Sequence, residues 1–375
     1  MRNANAGKRE GTYLPSLDGW RAIAILAVIL FHCQVLHWGM ISDSWLHVMG
    51  WRGVDLFFAL SGFLICGRLL QEEARNGGIS MRSFYIRRIF RIQPVALTYL
   101  AVVSVLILTG ELYKLDRYSE SPWSTVVTSI LMVRNVFTKT FFFETAHFWS
   151  LSVEEQFYIF LPTFLVLCKR YRLAALAGLF VAANIWRVIY LSTPRPAYIF
   201  QRTDLVCAPI LLGCVFALAL ARPRLRALTQ ACLLPWVALS YAVLVFVVTG
   251  LHHSRVDYVL TVLMYPLLIT ATTLHPASWT TRFLELAPLR YVGRISYSLY
   301  LWQELFFNPF SPAPPHTFRS HLLLCWIGTF GCAIASYYLI ERPMVRHGHR
   351  IAKRFDLQKL EKSQSFGSAE TTKVQ

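Results

Sequence analysis

Long apolar runs constrain the fold of this 375-residue chain more than any other feature. They recur at a length that carries a helix across the ~30 Å hydrocarbon core of a bilayer. We place them at residues 17–37, 53–70, 92–109, 150–168, 173–191, 205–221, 232–250, 257–274, 291–308 and 321–340. Charged residues make up only 15% of the chain, whereas they are roughly a quarter of a soluble domain. The sequence therefore predicts an all-α, polytopic membrane bundle of about ten transmembrane helices, with 124–133 as a short re-entrant or surface helix.

The positions of the cations predict the orientation of these spans. With a cytoplasmic N-terminus, the cytoplasmic segments hold 25 Lys and Arg residues and the outer loops hold 9. Such an asymmetry is typical of the positive-inside rule, so both termini are predicted to be cytoplasmic. The net charge of +17 then reflects topology, and nucleic acid is not an expected partner. We expect a cytoplasmic tail at 1–16, one membrane domain at 17–345, and a basic, largely disordered cytoplasmic tail at 346–375.

The first span carries Arg21 at its cytoplasmic end and His32 deeper in. Eleven residues at ~100° each return to nearly the same azimuth, so the two side chains share a helix face, ~16 Å apart. Asp18 lies three residues before Arg21 and could pair with its guanidinium. Ionisable residues in such a helix usually face a bundle interior or a wet cavity. An Arg at the interface and a buried, hydrogen-bonded His remain the simpler interpretations of either residue alone.

Two further segments carry charges at span ends. Asp55 begins the second span at its outer end, where the helix dipole favours a carboxylate, and where His32 of the first span is also expected. Arg87, Arg88 and Arg91 cluster before the third span. Their spacing suits bidentate phosphate binding, although positive-inside topology and anionic lipid headgroups would also account for them.

The start of the fourth span groups an imidazole, a hydroxyl and carboxylates. If this segment is helical, His147, Ser150 and Glu154 share a face, and Glu155 adds a second acid. Two acids in a membrane span are hard to explain as solvated surface, so a proton-relay or orienting unit is favoured here. At the mouth of the sixth span, Arg202 and Asp204 form either a salt-bridged helix end or part of a binding site.

Together these segments resemble the acyltransferase 3 family of integral membrane acyltransferases, which includes bacterial O-acetylases of surface carbohydrates. The resemblance covers about 13–343. It rests on Arg21-x10-His32, Trp51-x-Gly53-Val54-Asp55-Leu56-Phe57-Phe58-x-Leu60-Ser61-Gly62-Phe63, Arg87-Arg88-x-x-Arg91-Ile92-x-Pro94, His147-x-Trp149-Ser150-Leu151-Ser152-x-Glu154, Ser296-Tyr297-Ser298-x-Tyr300-Leu301-Trp302 and Glu341-Arg342-Pro343. Relatives often carry His where this chain has Gln303, which leaves His32 and His147 as the candidate titrating residues.

The resemblance implies that 17–345 is a membrane acyltransferase domain, in a bacterial inner membrane. It would take an acyl group, generally acetyl, from cytoplasmic acyl-CoA and transfer it to a hydroxyl of a carbohydrate or glycolipid at the far face. Acyl-CoA, the acceptor and membrane lipids are the expected partners, and no resident cofactor or metal is expected. Catalytic groups are expected at His32 (general base), Glu154, His147 and Asp55. Arg21, Arg87, Arg88 and Arg91 would bind CoA phosphates, and Trp149, Ser150, Glu155, Arg202 and Asp204 would bind the acceptor.

Two alternatives stay open at this level. A multispan transporter or flippase of a lipid-linked sugar or proton-coupled solute would use the same His and Glu residues as a proton pathway. The lack of visible repeat symmetry between the two halves counts mildly against it. An enzyme of the same fold that transfers a larger acyl group would share every motif.

Overall fold

The computed structural model describes residues 13–32, 43–111, 121–137, 142–192, 201–251, 256–307 and 318–371, and its described residues contain helices but no strands. The chain divides into two compact units. The first unit comprises the described residues of 1–77 and 149–296, and the second comprises those of 78–148 and 297–375. Each unit is described by itself below.

Sixteen α-helices follow one another along the described chain. They are α1 (Pro15–His32), α2 (Asp43–Asn76), α3 (Met81–Leu108), α4 (Pro122–Ile130), α5 (Phe148–Leu167), α6 (Arg172–Leu191), α7 (Thr203–Val206), α8 (Ala208–Leu220), α9 (Pro223–Cys232), α10 (Pro235–Leu251), α11 (Val256–Leu274), α12 (Trp279–Leu284), α13 (Ala287–Arg294), α14 (Ser296–Phe306), α15 (Phe318–Ser336) and α16 (Arg342–Thr371). Each of the ten predicted spans coincides with one or two of them, although 33–37 of the first span lies outside the described residues.

Within the described residues, five helices are long and apolar enough to cross a membrane by length and composition. They are Pro15–His32, Arg52–Asn76, Met81–Leu108, Arg172–Tyr190 and Leu322–Asp356. A sixth is added if α8 and α9, which meet at a bend of 111°, form one broken span. The other predicted spans coincide with shorter helices, so the count of ten stays a prediction. The predicted short helix at 124–133 is found as the nine-residue α4.

The first unit is held together by close helix contacts at glycine. Gly62 of α2 faces the carbonyl oxygen of Ile210 in α8, and Gly213 of α8 faces that of Ala59 in α2. A Cβ atom at either glycine would overlap the facing backbone. We call this contact the α2–α8 seam. Backbones can approach this closely only where small residues meet, as is typical of helices packed in membranes.

Two further contacts fix the ends of helices in the first unit. Gly293 of α13 packs against the backbone of Asp18 in α1. Arg172, at the start of α6, donates to the backbone oxygen of Leu165 at 2.6 Å and pairs with Glu73 of α2 through both guanidinium nitrogens. These bonds join α2 to the C-terminal end of α5 and to the start of α6.

The second unit contains α3, α4, α14, α15 and α16. A π-helical turn, Tyr337–Glu341, joins α15 to α16 without interrupting the helix, and the buried Glu341 accepts a hydrogen bond from Ser298 at 2.7 Å. Sequence analysis predicts a largely disordered tail from residue 346, whereas the structure has helix as far as Thr371. The physical reason is packing: Gly348 and Ala352 of α16 are buried, and Ser83 of α3 donates to the backbone oxygen of Ala352.

Candidate active site

The N-terminal end of α1 carries the first predicted cluster. Asp18 is buried and lies 3.6 Å from a guanidinium nitrogen of Arg21, so the predicted i, i+3 pair is confirmed. The hydroxyl group of Tyr13 also donates to the Asp18 carboxylate. Arg290 of α13 stacks on the ring of Tyr13 at 5.9 Å. Asp18 therefore connects Arg21 to Tyr13, and the orientation of the Arg21 guanidinium is restrained.

His32 is the last residue of α1 and is half-buried. Its ring lies edge-on to that of Phe31, with 5.0 Å between the centroids. Its catalytic role stays a prediction, since the segment that follows it, 33–42, lies outside the described residues.

Asp55 lies in an electropositive setting. It is only 4% exposed, and its carboxylate lies 3.7 Å from the guanidinium of Arg52. Arg187 of α6 is also buried, and it donates to the backbone oxygen of Leu205. Asp55 is thus part of an ion pair rather than a simple helix-end charge, because a buried carboxylate needs a compensating cation.

Glu154 accepts two hydroxyl donors within the first unit. Ser61 of α2 donates to Oε1 at 2.7 Å, and Tyr158 of α5 donates to Oε2 at 2.9 Å. Hydrogen bonds of this kind stabilise an ionised carboxylate and fix its orientation. The neighbouring Ser150 and Trp149 are buried, and the Trp149 ring packs edge-on against Phe58 at 6.0 Å. Glu155 is half-buried.

His147 lies just before α5, in the second unit, and its acidic partner is Glu304 of α14. The Nδ1 atom of His147 lies 2.6 Å from Oε2 of Glu304, and the backbone N–H of His147 donates to the same oxygen at 3.1 Å. Both side chains are almost fully buried, at 1% and 3% exposure. Because an ionised carboxylate can only accept, this arrangement favours a proton on Nδ1 and leaves Nε2 as the nitrogen that can exchange a proton.

Aromatic rings surround the His147–Glu304 pair. Tyr99 and Tyr300 lie edge-on to the imidazole, at 5.3 and 5.5 Å between centroids. The hydroxyl of Tyr300 donates to the backbone oxygen of His147, and that of Tyr99 donates to the backbone oxygen of Glu144. Since these bonds fix both the backbone and the ring of His147, the pair is preorganised.

Arg202 and Asp204 form the salt-bridged helix end that sequence analysis left open. Two guanidinium nitrogens of Arg202 lie 3.0 and 2.9 Å from the two carboxylate oxygens of Asp204. The indole N–H of Trp186 also donates to Asp204 at 2.9 Å. The hydrogen bond to Asp204 raises the pKa of the Arg202 guanidinium. All three side chains are substantially exposed, so a role in binding the acceptor stays a prediction.

The predicted phosphate-binding arginines begin the second unit. Arg87, Arg88 and Arg91 of α3 are all half-buried, and the Arg88 guanidinium lies 5.7 Å from the centroid of the Phe84 ring. Downstream, the hydroxyl of Tyr297 donates to the backbone oxygen of Ile92 at 2.8 Å. This bond ties the Ser296–Trp302 motif of α14 to the helix that carries the arginines.

Sequence analysis missed several residues that the structure brings to these groups. They are Glu304, Ser61, Tyr158, Arg52 and Arg187. Glu304 is an acid inside an apolar span, which is the criterion that selected Glu154. It could therefore have been predicted from the sequence. The hydroxyl partners of Glu154 carry no such signal, because Ser and Tyr are common in membrane helices.

Apolar helices with buried carboxylate and imidazole groups define an integral membrane protein with a polar interior. The chain belongs to the acyltransferase 3 family, since the family model described as an acyltransferase domain matches residues 14–340. The putative peptidoglycan O-acetyltransferase YrhL of Bacillus subtilis (strain 168) is 31% identical over 373 residues, which cover 91% of this chain and 56% of YrhL.

Two other relatives show the same pattern. The peptidoglycan O-acetyltransferase OatA of Listeria monocytogenes serovar 1/2a (strain ATCC BAA-679 / EGD-e) is 28% identical over 90% of this chain and 56% of its own length. A putative O-acetyltransferase of Staphylococcus aureus (strain COL) is 30% identical over 77% of this chain and 50% of its own length. The chain thus spans about half the length of the curated relatives it matches. No solved structure matches it.

Proposed function

We propose that this chain is an integral membrane O-acyltransferase of the bacterial inner membrane. It transfers an acetyl group from cytoplasmic acetyl-CoA to a hydroxyl of a carbohydrate or glycolipid acceptor at the extracytoplasmic side. The observation that carries this proposal is the family match over 14–340, a range that contains every candidate site residue. The names of the relatives, peptidoglycan O-acetyltransferases, support a carbohydrate acceptor.

The chemistry needs a base for the acceptor and cations for the donor. In the proposed reaction the acceptor oxygen attacks the thioester carbonyl carbon, and His32 takes the hydroxyl proton as the new C–O bond forms. The C–S bond then breaks, and the proton passes from the imidazolium to the CoA thiolate. Arg21, Arg87, Arg88 and Arg91 hold the phosphates of CoA through charge-assisted hydrogen bonds.

The polar groups of the two units have separate parts in this proposal. Glu154, with Ser61 and Tyr158 as donors, orients the acceptor together with Trp149, Ser150 and Glu155. Asp55 balances the charge of Arg52 near the base. Glu304 orients His147 through the bond to Nδ1. His147 then offers Nε2 as a second acid–base group.

The function is tested with purified protein and labelled acetyl-CoA. We expect His32→Ala to abolish acetyl transfer and to leave CoA affinity within about twofold, since the imidazole contributes to the chemical step. Arg87→Ala and Arg91→Ala should weaken CoA binding first. Mass spectrometry of surface glycans and lipids, from cells with and without the gene, would identify the acceptor by an increment of one acyl group.

Ligand binding by the same purified protein distinguishes an acyltransferase from a transporter. Acetyl-CoA should raise the melting temperature of the detergent-purified protein, and dephospho-CoA should raise it less. An unchanged melting temperature with both ligands would contradict the proposal. Normal product formation by the His32→Ala protein would also contradict it.

A further inference from the structure

The C-terminal helix α16 lies along the first turns of α3, within the second unit. Ser83 donates to the backbone oxygen of Ala352, and the ring of Phe90 lies 5.4 Å from that of His347. The numbering rises along α3 while it falls along α16, so the two helices are antiparallel. By these contacts Arg87 lies level with residue 349 of α16, and Arg91 lies level with residue 345.

One flank of α16 carries a basic stripe. Gly348 and Ala352 are buried and mark the line of contact with α3. At ~100° per residue, the side chains about 80–140° round the helix from this line, in one sense of rotation, form the stripe. They are Arg342, Arg346, His349 and Lys353. Arg350 points directly away from α3, and Arg354 lies at about 140° in the opposite sense.

The arginines of α3 lie on the matching flank. Ser83 and Phe90 mark the contact line of α3. Arg87 and Arg91 lie about 50° and 90° round the helix from this line, in the same sense of rotation as the stripe of α16. In two antiparallel right-handed helices, side chains displaced in the same rotational sense from their contact lines lie on the same side of the pair. The opposite side is marked by Arg82, whose guanidinium lies 3.6 Å from the centroid of the Phe355 ring.

We propose that this side of the α3–α16 pair binds the phosphates of the acyl donor. It rests on the proposed function and adds the C-terminal helix to the donor site. Arg346 and Lys353 lie level with the two ends of the 83–91 segment, so the cations of both helices extend over ~12 Å. A ligand with a pyrophosphate and a separate ribose phosphate, such as coenzyme A, presents several anionic groups over a comparable length. The Asp356 carboxylate accepts a hydrogen bond from Ser83 at one end, so the phosphates bind toward Arg87 and Arg91.

The exposed cations of α16 offer a matched comparison. Arg346, Lys353, Arg350 and Arg354 are all exposed on the same helix, and removal of either pair changes the net charge equally. A role in topology or in general attraction to anionic lipids depends on charge and would affect both pairs alike. A phosphate site beside α3 depends on position.

The test uses the full-length protein in detergent with CoA as the probe. We expect Arg346→Gln/Lys353→Gln to weaken CoA binding about tenfold, and Arg350→Gln/Arg354→Gln to change it less than twofold. The charge-conserving Arg346→Lys/Lys353→Arg variant should retain most of the affinity, and melting temperatures without ligand should agree among the variants. Dephospho-CoA should bind the two Gln variants with smaller differences than CoA does.

Lipid headgroups are distinguished by reconstitution. In vesicles of neutral phosphatidylcholine the difference between the two Gln variants should persist. Its disappearance there, and its return with phosphatidylglycerol, would assign the stripe to lipid and overturn the proposal. Equal affinities of both variants, with normal CoA binding by the unaltered protein, would also overturn it. If the unaltered protein binds no CoA, the proposed function itself fails.

Discussion

At the scale of single residues, the pair formed by His147 and Glu304 illustrates what a buried acid requires. Glu304 is almost fully buried and accepts from two donors of one residue, the ring and the backbone N–H of His147. A carboxylate without such donors would carry a large desolvation penalty. The same bonds orient the imidazole of His147. The contacts that stabilise the buried carboxylate of Glu304 therefore also orient a candidate catalytic group.

We expect Glu304→Gln to lower kcat by about 100-fold and to leave KM for acetyl-CoA within severalfold. The amide keeps an acceptor for the backbone N–H, but it removes the negative charge that supports an imidazolium and can donate to Nδ1, which favours the unproductive tautomer. Steady-state kinetics of purified protein provide the measurement. Glu111→Gln, at an exposed position just after α3, is the control. Unchanged kcat in a folded Glu304→Gln protein would remove the orienting role.

Sequence patterns predict part of the site at this scale. The Asp18–Arg21 pair follows from i, i+3 spacing on a helix and is confirmed. Tyr158, one hydroxyl partner of Glu154, also follows helix spacing, at i+4. However, Glu304 is 157 residues from His147 and Ser61 is 93 residues from Glu154 along the chain. Spacing within a helix carries no information on such pairs, so the sequence indicates the acids and the imidazole but not their contacts.

At the scale of helices, the α2–α8 seam shows how small residues determine packing. Gly62 and Gly213 each face a carbonyl oxygen of the other helix, so the distance between the two axes is set by backbone atoms. Ser61, next to Gly62 in α2, donates to Glu154 of α5, so neighbouring residues of α2 contact two different helices.

Gly62→Ala is expected to destabilise the protein by roughly 1–3 kcal/mol, because the added methyl group overlaps the backbone of Ile210 and forces the helices apart. Gly178→Ala in α6 is the matched control, since nothing lies within 4 Å of the position of its Cβ atom, and it should be neutral or slightly stabilising. Thermal unfolding in one detergent compares the two. Equal melting temperatures of the two variants would show that the α2–α8 seam accommodates the added methyl group without loss of stability.

Helix positions are predicted well by the apolar runs, because burial in lipid or in a bundle requires them. The C-terminal segment is the exception. Its polar composition predicts disorder, but small residues at positions 348 and 352 allow it to pack against α3. Composition averages over such positions, whereas packing depends on individual ones.

At the scale of the whole molecule, the membrane topology is a prediction that rests on the distribution of charge alone. The excess of Lys and Arg in alternate loops predicts cytoplasmic termini without any knowledge of the fold. The number of spans is less directly encoded. Helices of 11–17 residues, such as α14 and α10, have apolar sequences but are shorter than a typical span.

Labelling in cells tests the predicted topology. In a variant with its native cysteines replaced, a membrane-impermeant maleimide should label Ser192→Cys in intact cells. It should label Arg224→Cys only after lysis, because that loop lies on the predicted cytoplasmic side. Both positions are exposed, so accessibility within the protein does not bias the comparison. The reverse pattern would invert the orientation and would place Arg87 and Arg91 on the wrong side for CoA.

The π-helical turn between α15 and α16 determines how the protein responds to the deletion of a single codon. Such a turn contains one residue more than the corresponding α-helical turn, and it is anchored by the bond from Ser298 to Glu341. Loss of a single codon within 337–341 would leave the reading of every later amino acid intact. Because the π turn already holds the extra residue, the deletion would convert it to a regular α-helical turn, and Gly348 and Ala352 would still face α3. In this segment an in-frame deletion of one amino acid would therefore be less harmful than in the α-helical turns on either side, where it would rotate the following helix by about 100°.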